Sequence, residues 1–410
     1  MRKRTFLAFG TFILIHLCFV KSQAVDADKP FDGTRDSKFD SSLVKNILKN
    51  NNENVIFSPF PIKVMLALLF EATGVTVLSS SPTKQELSSV LSLDTTLNST
   101  RNTYARYQNL TEDSHPDCSL QLATRLYVDD FIDVISRYEI SLNYHYNVSI
   151  GSFSSADAEQ SAKSINSWFS HATKGRISGV VRADQLAESV ISVLNANVLK
   201  AFWKFPFPQN GPMQKFNHRS GKSVLVPFME LQQTLYYQSQ INGIDAQVLR
   251  LPFKGGLFSM YLILPHENSS IQAILEEPLF PNVFSNLVET KLRVLIPKFK
   301  FDDVYDFKEI LKNIGIQQIF SENASLPLLA RGRGTKNKLK LSNLIQKTGI
   351  VLNEQGSEIA AVSGSTVTVS SKLGDTELPT FNANRPFIFL IEDDTQGTLL
   401  FAGKLEDPSS

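Results

Sequence analysis

Apolar positions along the chain follow two spacings, and their order predicts a protein of helices and strands. Apolar residues three and four apart indicate helices, while alternating or short continuous apolar runs indicate strands. Helices dominate the first third and strands the remainder, with no regular strand–helix alternation, so the pattern favours an α+β fold with antiparallel or mixed sheets. The predicted helices are 37–50, 64–71, 81–93, 95–112, 161–171 and 307–314. The predicted strands are 54–58, 119–128, 190–199, 224–231, 246–252, 259–264, 294–301, 338–353, 385–392 and 398–404.

One connection, 354–381, is unusually long for a compact domain. Between 355 and 371 it has no proline, lysine or arginine, and small and β-branched residues dominate. These side chains suit a strand, and residues 357, 359, 361, 363, 365, 367 and 369 share one face in a period of two. Gly356 gives the backbone freedom to turn into a sheet. The segment is either an edge strand or flexible linker, or a strand that waits outside a sheet to be inserted.

Composition, charge and the lack of catalytic motifs limit the classes of function to consider. The chain is 42% apolar and 10% aromatic, enough for a large core, and its net charge of +1 gives no reason to expect a nucleic-acid partner. No Gly-x-Ser-x-Gly nucleophile motif occurs, and His266-Glu267 lacks the second histidine of a zinc protease motif. An enzyme is therefore the weakest hypothesis, and no cofactor or metal is expected.

The N-terminus predicts secretion. Residues 1–24 combine a basic start, an apolar run and a small-x-small cleavage site, so they indicate a signal peptide, with a signal anchor as the alternative. Residues 25–410 then form one domain, with no other apolar stretch long enough to cross a membrane. Cys118 remains alone, as an inert buried thiol or paired with another molecule. Five sequons indicate a glycoprotein, with acceptors Asn98, Asn109, Asn147, Asn268 and Asn323.

Ten short motifs, collinear over essentially all of the mature chain, resemble the serpin family. Each is modest alone, but together they are specific. They include NVIFSP from 54, LNANVLKAFWKFPF from 194, LRLPFK from 249, NEQGSEIAA from 353, NRPFIF from 384 and LFAGK from 400.

The resemblance implies three β-sheets, eight or nine helices and an exposed reactive loop at about 354–381. It implies a monomer that inhibits a serine protease as a suicide substrate: the protease cuts the loop, remains attached as an acyl-enzyme, and is displaced when the loop inserts into the central sheet. By motif matching, the hinge is Glu354, Gly356, Ser357, Ile359, Ala360 and Ala361. The residues implied in sheet opening are Ser58, Pro59, Asn195, Trp203 and Gln346.

Three positions depart from the family pattern. Pro61 stands where serine is usual, Gln346 where histidine is frequent, and Ile359 where alanine is usual. These departures keep open a non-inhibitory member that acts as a carrier, storage or signalling protein. Counting from Glu354 places the reactive bond at Ser370–Ser371, with Lys372–Leu373 as the alternative because the following segment is longer than usual.

A basic run lies at Arg331, Arg333, Lys336, Lys338 and Lys340. It is either a solvated loop or a site for a sulfated glycan, which would be detected as salt-sensitive retention on heparin. The family's heparin helix corresponds to 95–112, which here carries two sequons and only Arg101 and Arg106 as basic residues.

Overall fold

The computed structural model describes residues 29–31, 38–74, 81–91, 101, 105, 117–277, 279–331, 339–357 and 378–409. Within these ranges no helix is both long and apolar enough to span a bilayer.

A six-stranded sheet carries the features on which function depends. Its strand order is β10-β11-β12-β4-β2-β3. Two long strands that are distant in sequence, β4 and β11, run parallel at its centre, and the short β12 lies antiparallel to both. The strands are β2 Cys118–Asp129, β3 Ile150–Phe153, β4 Ile191–Phe202, β10 Phe299–Asp306, β11 Leu341–Asn353 and β12 Gly356–Ser357.

The other nine strands form one hydrogen-bonded sheet of order β1-β15-β14-β8-β7-β6-β9-β13, with β5 paired to β6. Residues 223–227 of β6 pair with β5, residues 228–237 pair with β9, and residues 237–238 pair with β7. Of the three expected sheets, two are therefore continuous through β6. Their strands are β1 Val55–Phe57, β5 Met213–Asn217, β6 Ser223–Gln238, β7 Ala246–Pro252, β8 Phe258–Pro265, β9 Val288–Pro297, β13 Thr380–Asn382, β14 Phe387–Asp393 and β15 Thr398–Leu405.

Eight α-helices lie in the part of the chain that the structure describes. The main hydrophobic core consists of buried residues from both sheets and from α2, and α2 is apolar on nearly every side because it lies inside this core. Helix α5 packs on the opposite face of the six-stranded sheet, over a second, smaller hydrophobic cluster. The helices are α1 Lys38–Lys49, α2 Pro59–Ala72, α3 Pro82–Val90, α4 Ser136–Tyr146, α5 Ala158–Ala172, α6 Ala183–Leu186, α7 Ile271–Ile274 and α8 Lys308–Asn313.

The α+β prediction is confirmed, but several element boundaries were wrong. The predicted strand 294–301 is two strands, β9 and β10, separated at Lys298. The helix predicted at 64–71 begins at Pro59, because proline is well suited to a first helical turn. Seven elements have no counterpart in the prediction: α4, α6, α7, β3, β5, β12 and β13. Of the predicted helix 95–112, only Arg101 and Ala105 lie within the described residues, and both are helical.

Candidate functional site

The seam between β4 and β11 is closed along most of its length and open at one end. Eight residue pairs join the two strands directly, from Leu341↔Ile191 to Gly349↔Val198. Beyond them the strands separate, and Gly356 and Ser357 fill the space, opposite Phe202 and Ala201 on one side and Asn353 and Leu352 on the other. Gly356 and Ser357, the third and fourth residues of the long connection, are thus already paired inside the mouth of the seam.

Gly356 is required by this geometry. Its φ is +149°, and a Cβ at this position would lie 2.0 Å from the Ala201 carbonyl oxygen and 2.7 Å from the Phe202 Cα. Both contacts are with backbone atoms of β4, which cannot move aside as a flexible side chain would. Only glycine allows the chain to enter here.

Trp203 anchors the turn between β11 and β12. Its indole N–H donates to the Asn353 carbonyl at 3.0 Å, and its backbone N–H donates to the Gln355 carbonyl at 2.7 Å. The ring stacks on Phe253 with 4.5 Å between centroids and an interplanar angle of 6°. The backbone N–H of Phe207 donates to the Glu354 carbonyl at 2.8 Å. The start of the connection is therefore held by backbone bonds to one apolar corner.

Glu354 is held electrostatically at the same place. Its buried carboxylate forms an ion pair with the ammonium group of Lys298, the residue between β9 and β10. The Glu354 side chain is 8% exposed and that of Lys298 is 35% exposed. If the ion pair is broken, water can solvate the Lys298 ammonium group much better than the buried Glu354 carboxylate.

This asymmetry makes a prediction about two variants. We expect Lys298→Ala to lower the free energy of unfolding by about 3 kcal/mol, because it leaves a buried carboxylate without its cation. Glu354→Gln should cost only about 1 kcal/mol, since the Lys298 ammonium can turn to water. Equal losses in thermal or urea unfolding of the two variants would contradict the prediction.

A polar cluster ties the middle of the seam to α2. The Gln346 side chain accepts from the Ser58 N–H at 2.6 Å, donates to the Ser58 carbonyl at 3.0 Å, and donates to Asn195 Oδ1 at 3.2 Å. Asn195 in turn donates to Thr124 Oγ1 at 2.8 Å, on β2. The Ser58 hydroxyl donates to the Leu400 carbonyl on β15. The structure thus brings Ser58, Asn195 and Gln346 together, across the seam and between the two sheets.

Both prolines are in the first turn of α2. Pro59 is its first residue and Pro61 its third, and both are buried. First-turn N–H groups have no partner within a helix, so proline there sacrifices no intrahelical bond. The departure at Pro61 therefore leaves the bonds between Ser58 and Gln346 intact.

Asp303 on β10 makes a further link between the sheets. Its Oδ2 accepts from the Ile56 N–H at 2.9 Å. Burial raises the pKa of the Asp303 carboxyl to about 6, and the nearby carboxylates of Asp302 and Glu53 act in the same direction. The folded protein therefore holds this proton at pH values where the unfolded chain has released it.

The sign of the effect follows from that proton. The contribution of Asp303 to the free energy of unfolding is highest below about pH 4 and falls as pH rises through about 6. We expect Asp303→Asn, which still accepts from Ile56, to raise stability at pH 7.5 by roughly 1–2 kcal/mol after allowance for solvent screening, and to raise it by less than half as much at pH 4.5. Thermal unfolding of both proteins at the two pH values measures this, and a gain of equal size at both would contradict it.

The remaining predicted site residues are distributed as follows. The sequon asparagines Asn147, Asn268 and Asn323 are all exposed, as glycan acceptors must be. Of the basic run, Arg331 and Lys340 are described, and Arg331 is exposed. Cys118 is buried in β2, and burial raises the pKa of its thiol, which makes it unreactive. The roles assigned to residues outside the described ranges remain predictions, for Asn98, Asn109, Arg333, Lys336, Lys338, Ile359, Ala360, Ala361, Ser370, Ser371, Lys372 and Leu373.

Sequence reasoning missed a second polar group at the closed end of the seam. Asn343 on β11 is buried and donates toward Ser192 on β4 at 3.0 Å and toward Ser189 at 2.7 Å. The Ser342 hydroxyl accepts from the Val190 N–H at 2.8 Å. Polar residues inside otherwise apolar buried strands were the available signal, because such residues need partners.

Comparisons with known proteins agree with this architecture. The sequence profile of the family described as Serpin (serine protease inhibitor) matches residues 34–408. The chain is 39% identical over 397 residues to "Serine protease inhibitor 2" of Anopheles gambiae, covering 96% of both chains. It is 31% identical over 375 residues to human "Antithrombin-III", covering 88% of this chain and 78% of that one. Among solved structures, Serpin48 of the insect Tenebrio molitor matches with a TM-score of 0.79 at 26% identity, covering 90% of this chain and 96% of that one.

Proposed function

The chain belongs to the serpin family, and we propose that it is a secreted inhibitor that traps a serine protease by inserting its cut loop into the seam between β4 and β11. The single observation that carries the proposal is β12. Gly356 and Ser357 already pair with both strands at the mouth, while the eight pairs beyond them are still made directly between β4 and β11. An added strand has an entry point and a defined path.

The uncut loop cannot follow that path. One end is held in β12, and the other is held at β13, where Thr380, Phe381 and Asn382 pair with β9. Both ends are therefore fixed in different sheets, and threading residues beyond Ser357 along the seam requires a free end. Cutting the loop supplies that end, which makes insertion conditional on attack by a protease.

The register of β12 indicates what insertion would bury. Ser357 lies opposite Ala201 and Leu352, so a strand continued in this register puts Ile359 opposite Leu199 and Ile350. Directly opposed residues share a face of a sheet, and Leu199, Ala201, Ile350 and Leu352 all face the main core. The face of Ile359, Ala361 and Val367 would then be buried there.

Two polar loop residues also find suitable neighbours in that register. Glu358 falls opposite Lys200, which is partly exposed, so its charge meets an opposite charge near water. Ser363 falls between Asn195 and Gln346, where its hydroxyl can replace the bond that the separated strands lose. Insertion therefore leaves neither of these groups buried without a partner.

The reaction has two possible ends after protease attack at Ser370–Ser371. The protease serine displaces the amine of Ser371 and forms an ester with the Ser370 carbonyl, with release of the new N-terminus. Either water then hydrolyses the ester and frees the protease, or the loop inserts first and carries the attached protease away from the mouth of the seam. Inhibition requires insertion to be faster than hydrolysis.

Denaturing gels test the proposal. Mixing the protein with trypsin-like and elastase-like proteases should give a band of the combined mass that survives boiling. N-terminal sequencing of the released fragment should give Ser371 or Leu373 as its first residue. Complete conversion to cleaved chain with every protease, and no covalent band, would contradict inhibition.

The alternative is a non-inhibitory member of the family. Ile359 favours it, because a bulky β-branched residue at the second pair beyond β12 must be accommodated between Leu199 and Ile350. A non-inhibitory protein would be cleaved without becoming more heat-resistant, whereas an inhibitor gains stability on cleavage.

Secretion, glycosylation at the exposed sequons and a monomeric state complete the proposal. Mass loss on treatment with a glycosidase tests the glycans. A sulfated glycan at the basic run that begins at Arg331 would be detected as retention on heparin that is lost at about 0.5 M salt, because such contacts are screened.

A further inference from the structure

Polar side-chain bonds across the seam between β4 and β11 become shorter away from the mouth. Nearest β12, Asn197 reaches Thr348 Oγ1 at only 3.4 Å. In the middle, Gln346 reaches Asn195 at 3.2 Å. At the far end Asn343 reaches Ser192 at 3.0 Å, and Val190 reaches Ser342 at 2.8 Å. These side-chain bonds are thus longest where the loop enters and shortest where insertion must finish.

Asn343 binds more than the opposite strand. Its amide nitrogen is also 2.7 Å from the Gln185 carbonyl at the end of α6 and 2.7 Å from Ser189 Oγ. A carboxamide has only two N–H donors, so three acceptors share them. The side chain therefore joins β11 to the start of β4 and to the segment that connects α6 to β4.

Local backbone geometry creates this arrangement. The pairing of β11 with β4 shifts by one residue between Leu341 and Asn343, so Ser342 is the extra residue of a bulge. Its hydroxyl accepts the Val190 N–H, and the next residue, Asn343, is directed to Ser192, its direct partner across the seam. All four of these residues are buried, so water cannot replace the bonds when the strands part.

The position of this group along the seam matters for the proposed inhibition, on which the following inference rests. Ser357 is opposite Leu352 and Ala201, and Asn343 and Ser192 each lie nine positions further from the mouth (352 to 343, and 201 to 192). At about 3.3 Å per residue, this is a path of roughly 30 Å. An inserting strand meets the Asn343 group last.

We infer that Asn343, with Ser342, Ser189 and Ser192, is a latch that controls the last stage of loop insertion and keeps the uncut protein closed. Asn343 is a positioning residue, because it touches neither the protease nor the reactive bond. Its strength sets how fast the seam opens to its end, and hence how much protease escapes by hydrolysis before it is trapped.

Annealing of a synthetic peptide measures opening of the seam without any protease. The peptide has the sequence of residues 358–370, and its uptake into the intact protein is followed by the rise in heat resistance. Asn343→Ala should take up the peptide about tenfold faster than the wild type, because the buried bonds through which Asn343 holds the seam closed are lost. Ser192→Ala should accelerate uptake less, and the two effects should be non-additive in the double variant.

Thr124→Val is the matched control. It removes a partner of Asn195 across the β2–β4 pair, which stays together during insertion. It should lower stability without speeding peptide uptake. With the target protease, Asn343→Ala should keep the rate of loop attack while fewer inhibitor molecules are cleaved per protease trapped.

Three results would overturn the latch: wild-type uptake rates in Asn343→Ala, equal acceleration by Thr124→Val, or no peptide uptake by any variant. Should Asn343→Ala fail to fold, Ser192→Ala and Ser189→Ala provide the same comparison. Failure of the proposed inhibition is distinguishable, since it would remove the covalent band while leaving the order of the peptide uptake rates intact.

Discussion

Replacing Gly356 by valine should convert the protein from an inhibitor of its target protease into a substrate. The new Cβ would lie 2.0 Å from the Ala201 carbonyl oxygen. The backbone φ at this position is +149°, a value that residues other than glycine rarely adopt. The variant can relieve both problems only by leaving β12 unpaired. Loss of the preformed entry should raise the insertion barrier by roughly 2–3 kcal/mol, which slows insertion by about thirty- to 150-fold.

The readout is the number of inhibitor molecules consumed per covalent complex, which should rise more than tenfold for Gly356→Val. Circular dichroism should remain that of the wild type, because Gly356 lies at the rim of the sheet and the other strands do not require it. Ser357→Ala is the control, since it keeps the strand and a small buried side chain, and it should inhibit within about twofold of the wild type. Unchanged stoichiometry in the Gly356→Val protein would show that entry does not pass through β12.

The sequence predicts the elements best where burial on one side dictates a simple period. Strands β7, β8, β14 and β15 were placed closely because they are apolar runs bounded by turns. Helix α4 was missed because only Tyr138, Leu142 and Tyr146 are buried, while Ile140 and Tyr144 are exposed on the opposite side. Its apolar residues therefore do not form one clean stripe.

Long-range pairing could not be obtained from one sequence. The strand-like run 294–301 looks continuous in sequence, but at Lys298 the chain passes from one sheet to the other, since β9 pairs with β6 and β10 pairs with β11. Lys298 also pairs with Glu354, far along the chain. Likewise β4 and β11 are each recognisable, but their parallel register and the residues that face each other across the seam are set by tertiary packing. The latch at Asn343 was invisible for this reason.

The candidate site was predictable in part. Strand-like chemistry of the long connection and the glycine at its start came from the residues themselves, and the roles of Ser58, Asn195, Trp203 and Gln346 came from the family resemblance. The structure adds how they are connected: Gln346 bonds both to the backbone of Ser58 and to Asn195. It also adds Lys298, Asn353 and Phe253, whose contacts with Glu354 and Trp203 no local pattern indicates.

The largest expected effect is on heat resistance after the loop is cut. The proposed insertion would replace one parallel β4–β11 pairing by two antiparallel pairings with the new strand, and it would bury Ile359, Ala361 and Val367 on the side of the main core. The added hydrogen bonds contribute about 1 kcal/mol each and are nearly offset by the entropy lost on ordering the strand. Burial of apolar side chains, at about 25 cal/mol per Å², supplies the net gain.

That gain should amount to several kilocalories per mole and raise the melting temperature by roughly 10 °C or more. The cleaved Gly356→Val protein is the matched control, because it carries the same break in the chain but lacks the preformed entry, so its loop should insert more slowly. Its melting temperature should start close to that of its own uncut form and should rise later after the cut than that of the cut wild type. This comparison separates insertion from any effect of removing strain in the loop.

The most direct measurement is therefore the thermal unfolding of intact protein beside protein cut once at Ser370–Ser371, with the cut verified by mass. A stored strand predicts that the cut wild type unfolds well above the intact protein and no longer takes up the 358–370 peptide. Equal melting temperatures, with peptide uptake unchanged after cutting, would mean that the seam between β4 and β11 is not the destination of the loop.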